Sequence, residues 1–332
     1  MSSYLLTARD EYPHVPTAEP HFNESVYMNA FDPTRRWGGW MRLGNRVNEG
    51  YAELAVCLYL PDGRIACQFQ RPPITDNTQF EAGGLRVTID EPLQQLSMDY
   101  QGDLILVDSP ALFRNPKALF EHAPRVPGVV HWEQRGISPI YGGLPTTTAQ
   151  TLFGRDFSLG HFNQHTAVTG HLTLGDEARP LEGWGWRDHS WGPRLWQNIR
   201  FDRFYMANFG ADRGLMLLKI ANRDGEVRRG GVLFIEGRYE AIIDFDIFNE
   251  WSPAKDPVSF QLAVRTAART ARIHGQILNC APLRNRRREG ALLLESRIAE
   301  CFTELEWDGR QGFGMTEYVE LLENGIPAGF PL

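Results

Sequence analysis

Strand signals dominate this sequence from end to end. Short runs of apolar and β-branched residues recur along it, and Gly, Pro or Asp cuts most of them before a long helix could accumulate. Residues 51–60 and 64–70 flank a Pro61-Asp62-Gly63 turn, and 85–89, 93–100 and 104–107 follow, punctuated by Gly83-Gly84 and Gly102-Asp103. Pro110, Pro116, Pro124, Pro127, Pro139 and Pro145 then interrupt the pattern, leaving a linker or cap in which only 117–122 suits a turn or two of helix. Strand signals resume at 167–174 and run through 203–209, 215–221, 232–236, 241–248, 260–269, 273–278, 291–298 and 316–322. Residues 260–278, rich in Ala and Arg, also fit a helix. Many short strands with little helix must satisfy their edges in sandwiches or barrels. With 332 residues, 42% of them hydrophobic, the chain has length and core enough for two such units.

Charge narrows the function classes. There are 34 Lys and Arg against 41 Asp and Glu, a net charge of -7, which argues against a nucleic-acid partner that would need a positive surface. The run Arg284, Arg286, Arg287 and Arg288 is the local exception and reads as a solvated loop. Only Lys117, Lys219 and Lys255 are lysines, so the proton carriers must come from Asp, Glu, His and Tyr. No apolar run approaches the roughly 18 residues of a membrane-spanning helix. Residues 1–10 lack a basic segment followed by an apolar stretch, so a cytoplasmic location is expected. Cys57, Cys67, Cys280 and Cys301 show no Cys-x-x-Cys spacing. If Leu60 pairs with Arg64, Cys57 and Cys67 face each other as reduced packing residues.

The chemistry-bearing segment is Gly183-Trp184-Gly185-Trp186-Arg187-Asp188-His189-Ser190-Trp191-Gly192-Pro193-Arg194, with Trp196 close behind. On an extended strand Trp184, Trp186, Asp188 and Ser190 share one face, and Arg187, His189 and Trp191 share the other. An aromatic wall holds a hydrophobic substrate and stabilises positive charge on it. A carboxylate buried against tryptophan becomes a proton donor near neutrality, although a close arginine opposes that shift. Core packing with an Asp188–Arg pair explains the same residues. A second cluster, His161, His165 and His171, could join His189 around a metal, but its spacing matches no ligand pattern and satisfied core histidines explain it better. A third, Gly312-Phe313-Gly314-Met315-Thr316-Glu317-Tyr318, offers Glu317 as a second carboxylate and Tyr318 as a phenolic donor, or simply a closing strand.

The Asp188-His189-x-Trp191-Gly192 element, the Gly312–Tyr318 segment and Arg71-Pro72 after the first hairpin resemble the carotenoid 1,2-hydratase (hydroxyneurosporene synthase) superfamily, which includes kievitone hydratase. The resemblance is scattered over roughly residues 40–325. It implies an all-β fold of two lipocalin-like antiparallel β-barrel domains, here an arm at 1–30, a first barrel with Pro-rich linker at 31–148 and a second barrel at 149–332. It also implies a cofactor-independent lyase that adds or eliminates water on a hydrophobic terpenoid or aromatic small molecule held between the barrels. Asp188, His189, Glu317 and Tyr318 are the expected catalytic residues. Trp184, Trp186, Arg187, Trp191, Arg194 and His165 are the expected substrate contacts. No cofactor or metal is expected, and a homo-oligomer is left open. An isomerase or cyclase using the same groups, or a barrel that only sequesters apolar ligands, are the alternatives.

Overall fold

A computed structural model describes residues 4–146, 151–155 and 157–332. The chain divides into two compact units, the first built from residues up to 108 with 123–194, the second from 109–122 with 195–332.

The first unit is a closed ring of eight strands: β1 (Phe22–Asp32), β2 (Trp37–Arg46), β3 (Tyr51–Tyr59), β4 (Ile65–Gln70), β5 (Gln95–Val107), β6 (Arg125–Gly136), β7 (Gly160–Leu174) and β8 (Glu177–Pro193). Each strand pairs antiparallel with the next, and β8 pairs with β1 to close the barrel. Closure removes the edges that an open sheet would expose. A further strand, Leu85–Glu91, pairs with β5, and Tyr4–Leu5 pairs with a short strand at Tyr141–Pro145. Strand alternation sends Val26, Met28 and Ala30 of β1 into a core with Met41, Leu43, Leu54, Val56, Met98, Trp132, Val168 and Leu172. Removing a side chain such as Met28, which is fully buried, costs about 2–5 kcal/mol in lost transfer energy and cavity.

The second unit is another up-and-down ring: β9 (Ile199–Asn208), β10 (Arg213–Asn222), β11 (Val227–Ile235), β12 (Arg238–Trp251), β13 (Pro257–Thr266), β14 (Thr270–Glu289), β15 (Leu292–Trp307) and β16 (Arg310–Glu323). Here β16 pairs back onto β9. Its core holds Tyr205, Leu215, Leu217, Leu233, Phe260, Leu262, Val264, Ile273 and Trp307. The all-β, two-barrel expectation therefore holds.

The Pro61-Asp62-Gly63 hairpin also forms as read. The Leu60 N–H donates to the Arg64 carbonyl at 2.9 Å, Gly63 supplies the positive φ of +87°, and Cys57 registers directly opposite Cys67. All four cysteines are buried thiols, and burial pushes the Cys67 thiol up to about 12.

Other expectations are corrected. Residues 22–30 are not an arm but most of β1, buried along their length. Residues 95–100 and 104–107 belong to one strand, because Gly102 pairs with Gly128 without breaking the ladder, whereas 93 and 94 lie in the turn before it. The helix at Pro116–His122 is present, but the supposed linker also contains β6, with Pro127 tolerated near the strand's start. The division between units falls at 194/195 instead of 148/149, since β7 and β8 complete the first ring. Residues 260–278 are strand, not helix. The arginine run lies on β14, where Arg284 and Arg286 pair with Glu295 on the neighbouring strand.

Candidate active site

In β8 the inward positions are odd-numbered, continuing from core Leu181, so Arg187, His189 and Trp191 point into the first barrel. Across the β1–β8 ladder, Val26 registers with His189 and Glu24 with Trp191. Glu24 thus enters the same interior, diagonal to His189, where it is fully buried.

Glu24 is the centre of the cluster. Its Oε1 accepts from His14 Nδ1 at 2.6 Å and from His189 Nε2 at 3.0 Å. Its Oε2 accepts from the His14 N–H at 2.7 Å and from Asn77 Nδ2 at 2.6 Å. Asn45 donates to Asn77 and orients it. Burial by itself would raise this carboxyl, but the hydrogen bonds from His14 and His189 outweigh it and hold Glu24 at about 2. His14 is pulled down by burial and pushed up more strongly by Glu24 and then Asp10, ending above its ordinary value. Its second nitrogen faces Asp10 Oδ1 at 3.3 Å, so both ring nitrogens meet carboxylates, the setting of an imidazolium.

Aromatic rings enclose the pair. His14 stacks on Trp191 with centroids 4.0 Å apart, and Phe80, Phe162 and Trp191 surround the His189 ring at 5.3–5.5 Å. Because ionised Glu24 can only accept, Nε2 of His189 carries the shared proton. The other nitrogen, Nδ1, is buried and has no hydrogen-bond partner among the described residues. Two residues back on the same face, Arg187 is buried with Nη1 on Glu11 Oε1 at 2.8 Å and Nε on Gln164 Oε1 at 2.9 Å, while Nη2 has no partner among the described residues. Its guanidinium lies 5.6 Å from the Phe162 ring.

Of the expected residues, this interior gathers Arg187, His189 and Trp191. Asp188 registers with Tyr27 and Asn163 on the opposite face of the strand, half-buried, and the carboxylate bonded to His189 is that of Glu24. Trp184 and Trp186 share that outer face. Arg194, beyond the end of β8, donates to Ser190 Oγ at 2.6 Å and stands 4.0 Å over the Phe157 ring; burial and then Arg42 pull it down to about 9, with Asp188 opposing. His165 is buried edge-on against Trp186, and His161 stacks on Phe153 and contacts Asn163. Burial, with Arg194 adding, brings His161 down to about 3. His171 instead faces the His131 ring. None of these three shares a face with His189, since Phe162 is the β7 residue opposite it, so the suggested His161, His165 and His189 metal set does not assemble.

Glu317 and Tyr318 belong to the second barrel. Tyr318 points inward and donates to Asn249 Oδ1 at 2.8 Å; burial raises its phenol well above the ordinary value. Glu317 faces the other way, directly across from Glu300 on β15. Burial, and then Glu317, keep both Asp202 and Glu300 well above the usual carboxylate range. A cleft of about 380 Å³ on the second barrel, lined in part by Ser259, Gln261, His274 and Glu304, contains none of the expected site residues.

The sequence profile of the family described as Domain of unknown function (DUF7064) matches residues 7–321. The chain belongs to this family. No curated protein matches it in sequence. Among solved structures, this DUF7064 chain is similar to an AttH-like protein from Nitrosomonas europaea at TM-score 0.57 and 13% identity, over 96% of each chain. CghA, solved with Sch210972, is similar at TM-score 0.56 and 13% identity over 96% of this chain and 95% of CghA. Kievitone hydratase from Nectria haematococca follows at TM-score 0.54 and 9% identity, over 90% of this chain and 88% of that one. At these identities the likeness establishes a shared fold. Glu24, His14 and Glu11 escaped the sequence reading, although a glutamate in step with inward Val26, Met28 and Ala30 is a legible warning of a buried charge.

Proposed function

We propose that this DUF7064 chain is a hydratase-type lyase, adding or eliminating water on a hydrophobic terpenoid or aromatic small molecule by acid–base chemistry inside the first barrel. One observation carries the reading: His189 Nδ1 is buried and unpartnered while Glu24 holds Nε2. That is the arrangement of a general base oriented by a carboxylate. In the hydration direction, Nδ1 takes a proton from water as its oxygen bonds to the alkene carbon, and the imidazolium returns a proton to the adjacent carbon. Glu24 stabilises the imidazolium without itself taking the proton. Arg187 Nη2 donates to an electron-rich oxygen of the ligand, and Phe80, Phe162 and Trp191 provide the apolar wall. No electrons change hands, so the step needs no redox cofactor. In this reading Asp188, Glu317 and Tyr318 take no part in proton transfer. The fold shared with kievitone hydratase supports the reaction class.

The test is a panel of terpenoid and aromatic alkenes and alcohols incubated in ¹⁸O-labelled water and followed by mass. Incorporation of solvent oxygen by the wild type and its loss in His189→Gln are expected. Conversion without label would replace the lyase by an isomerase or cyclase, and ligand binding without any conversion would leave a sequestering barrel.

A further inference from the structure

The Arg187–Glu11 contact carries a second conclusion. We infer that the interior around Arg187 binds an apolar small molecule ending in a carboxylate, and that the segment 7–14 closes this site with Glu11 holding the ligand's place. This names the ligand class of the site proposed above and rests on that reading for its role in turnover, though not for binding.

Glu11 reaches Arg187 from outside the ring of strands. It sits in the single 3-10 turn Ala8–Glu11, whose first residues are tied locally by Thr7 and Asp10. Both partners of the ion pair are 1% exposed. A guanidinium at that depth cannot be left uncompensated, so whatever displaces Glu11 must bring a negative charge of its own.

Glu11 is an incomplete partner for the arginine. A guanidinium presents parallel donors that match both oxygens of one carboxylate. Glu11 uses only Oε1 on Nη1, because its Oε2 accepts from the Leu93 N–H at 2.7 Å, and Nη2 is left buried and unpartnered. A free carboxylate can take Nη1 and Nη2 together. Leu93 itself has φ +65°, a left-handed conformation that a side chain of this bulk rarely adopts, so the backbone donor that holds Glu11 is held at some cost in strain. Phe22, Phe162, Trp191 and Leu93 form the apolar surroundings in which the rest of the ligand would lie. Leaving of the segment also unstacks His14 from Trp191, so binding should change tryptophan emission.

The experiment is a fluorescence titration of the full chain with 11-(dansylamino)undecanoate and with its neutral methyl ester. The acid should bind at least about tenfold more tightly than the ester, because only the acid compensates Arg187. Glu11→Gln, which removes the internal competitor's charge, should tighten acid binding by about tenfold or more and leave the ester nearly unchanged. Equal binding of acid and ester, or unchanged acid affinity in Glu11→Gln, would overturn the inference. Arg187→Met should abolish the preference; should either variant fail to fold, the acid-over-ester selectivity of the wild type decides the matter. Neither measurement involves turnover. A preference for the acid with no conversion of any ligand therefore upholds this site while sinking the hydratase reading, and conversion of neutral ligands without acid preference does the reverse.

Discussion

Each barrel buries an inward glutamate between two nitrogen-bearing side chains, and the two sets of partners differ in kind. In the first, Glu24 lies between the imidazoles of His14 and His189. In the second, Glu320 is gripped by the guanidinium groups of Arg203 and Arg297, all three buried. Guanidinium groups do not release protons near neutrality, so the Glu320 cluster is a clamp. Arg203 is further occupied by the Leu332 and Asp202 carbonyls. Imidazoles do release protons in that range, and the first cluster leaves one of their nitrogens unoccupied. The same burial of charge thus yields a fixed clamp in one barrel and, in the other, a cluster of titratable imidazoles around a carboxylate. What separates them is the chemistry of the partners.

The contrast can be broken most directly at His189. His189→Gln should reduce turnover about 10²–10⁴-fold, the usual contribution of a positioned general base, with the thermal unfolding midpoint little changed. A variant with full activity would remove His189 from the mechanism. On the clamp side, Glu320→Ala leaves two buried guanidinium groups facing each other and should cost about 3–5 kcal/mol in denaturant unfolding, whereas a loss below 1 kcal/mol would mean that the clamp is dispensable.

Acidity sharpens the comparison further. Glu24 is depressed from an ordinary 4.5 to about 2, so its contribution to stability is complete above pH 4.5 and drains away as pH falls toward 2. His14 is raised above 6.5, so its contribution is complete below that pH and disappears as pH climbs through the folded value. The cluster therefore stabilises the first barrel most between about pH 4.5 and 6.5. Denaturant midpoints measured across pH should show both limbs in the wild type and flatten in Glu24→Gln; NMR titration of His14 should fall back toward its ordinary value in the same variant. The smallest effect is expected at Asp188. Asp188→Asn, on the other face of β8, should keep turnover within about threefold, and a hundredfold loss would return the acid role to Asp188.

Much of this was legible because strand geometry is local. The period of two assigned Arg187, His189 and Trp191 to one face and Asp188 to the other before any fold was known. The same period, with a Pro-Asp-Gly turn, put Cys57 opposite Cys67. Legibility failed where a polar or proline-bearing stretch became strand by completing a ring, as in β1 and β6, since ring closure is decided by distant neighbours and not by local propensity.

The sequence by itself determined an all-β chain of two units, a tryptophan-rich strand bearing Arg, Asp and His side chains and the face on which His189 would lie. Only the tertiary structure decided which carboxylate His189 meets. Glu24 is 165 residues away and Glu11 lies 176 residues from Arg187, separations that no local pattern spans. Barrel closure brings β1 beside β8, and the resulting low-dielectric interior leaves a buried charge stable only beside its counter-charge.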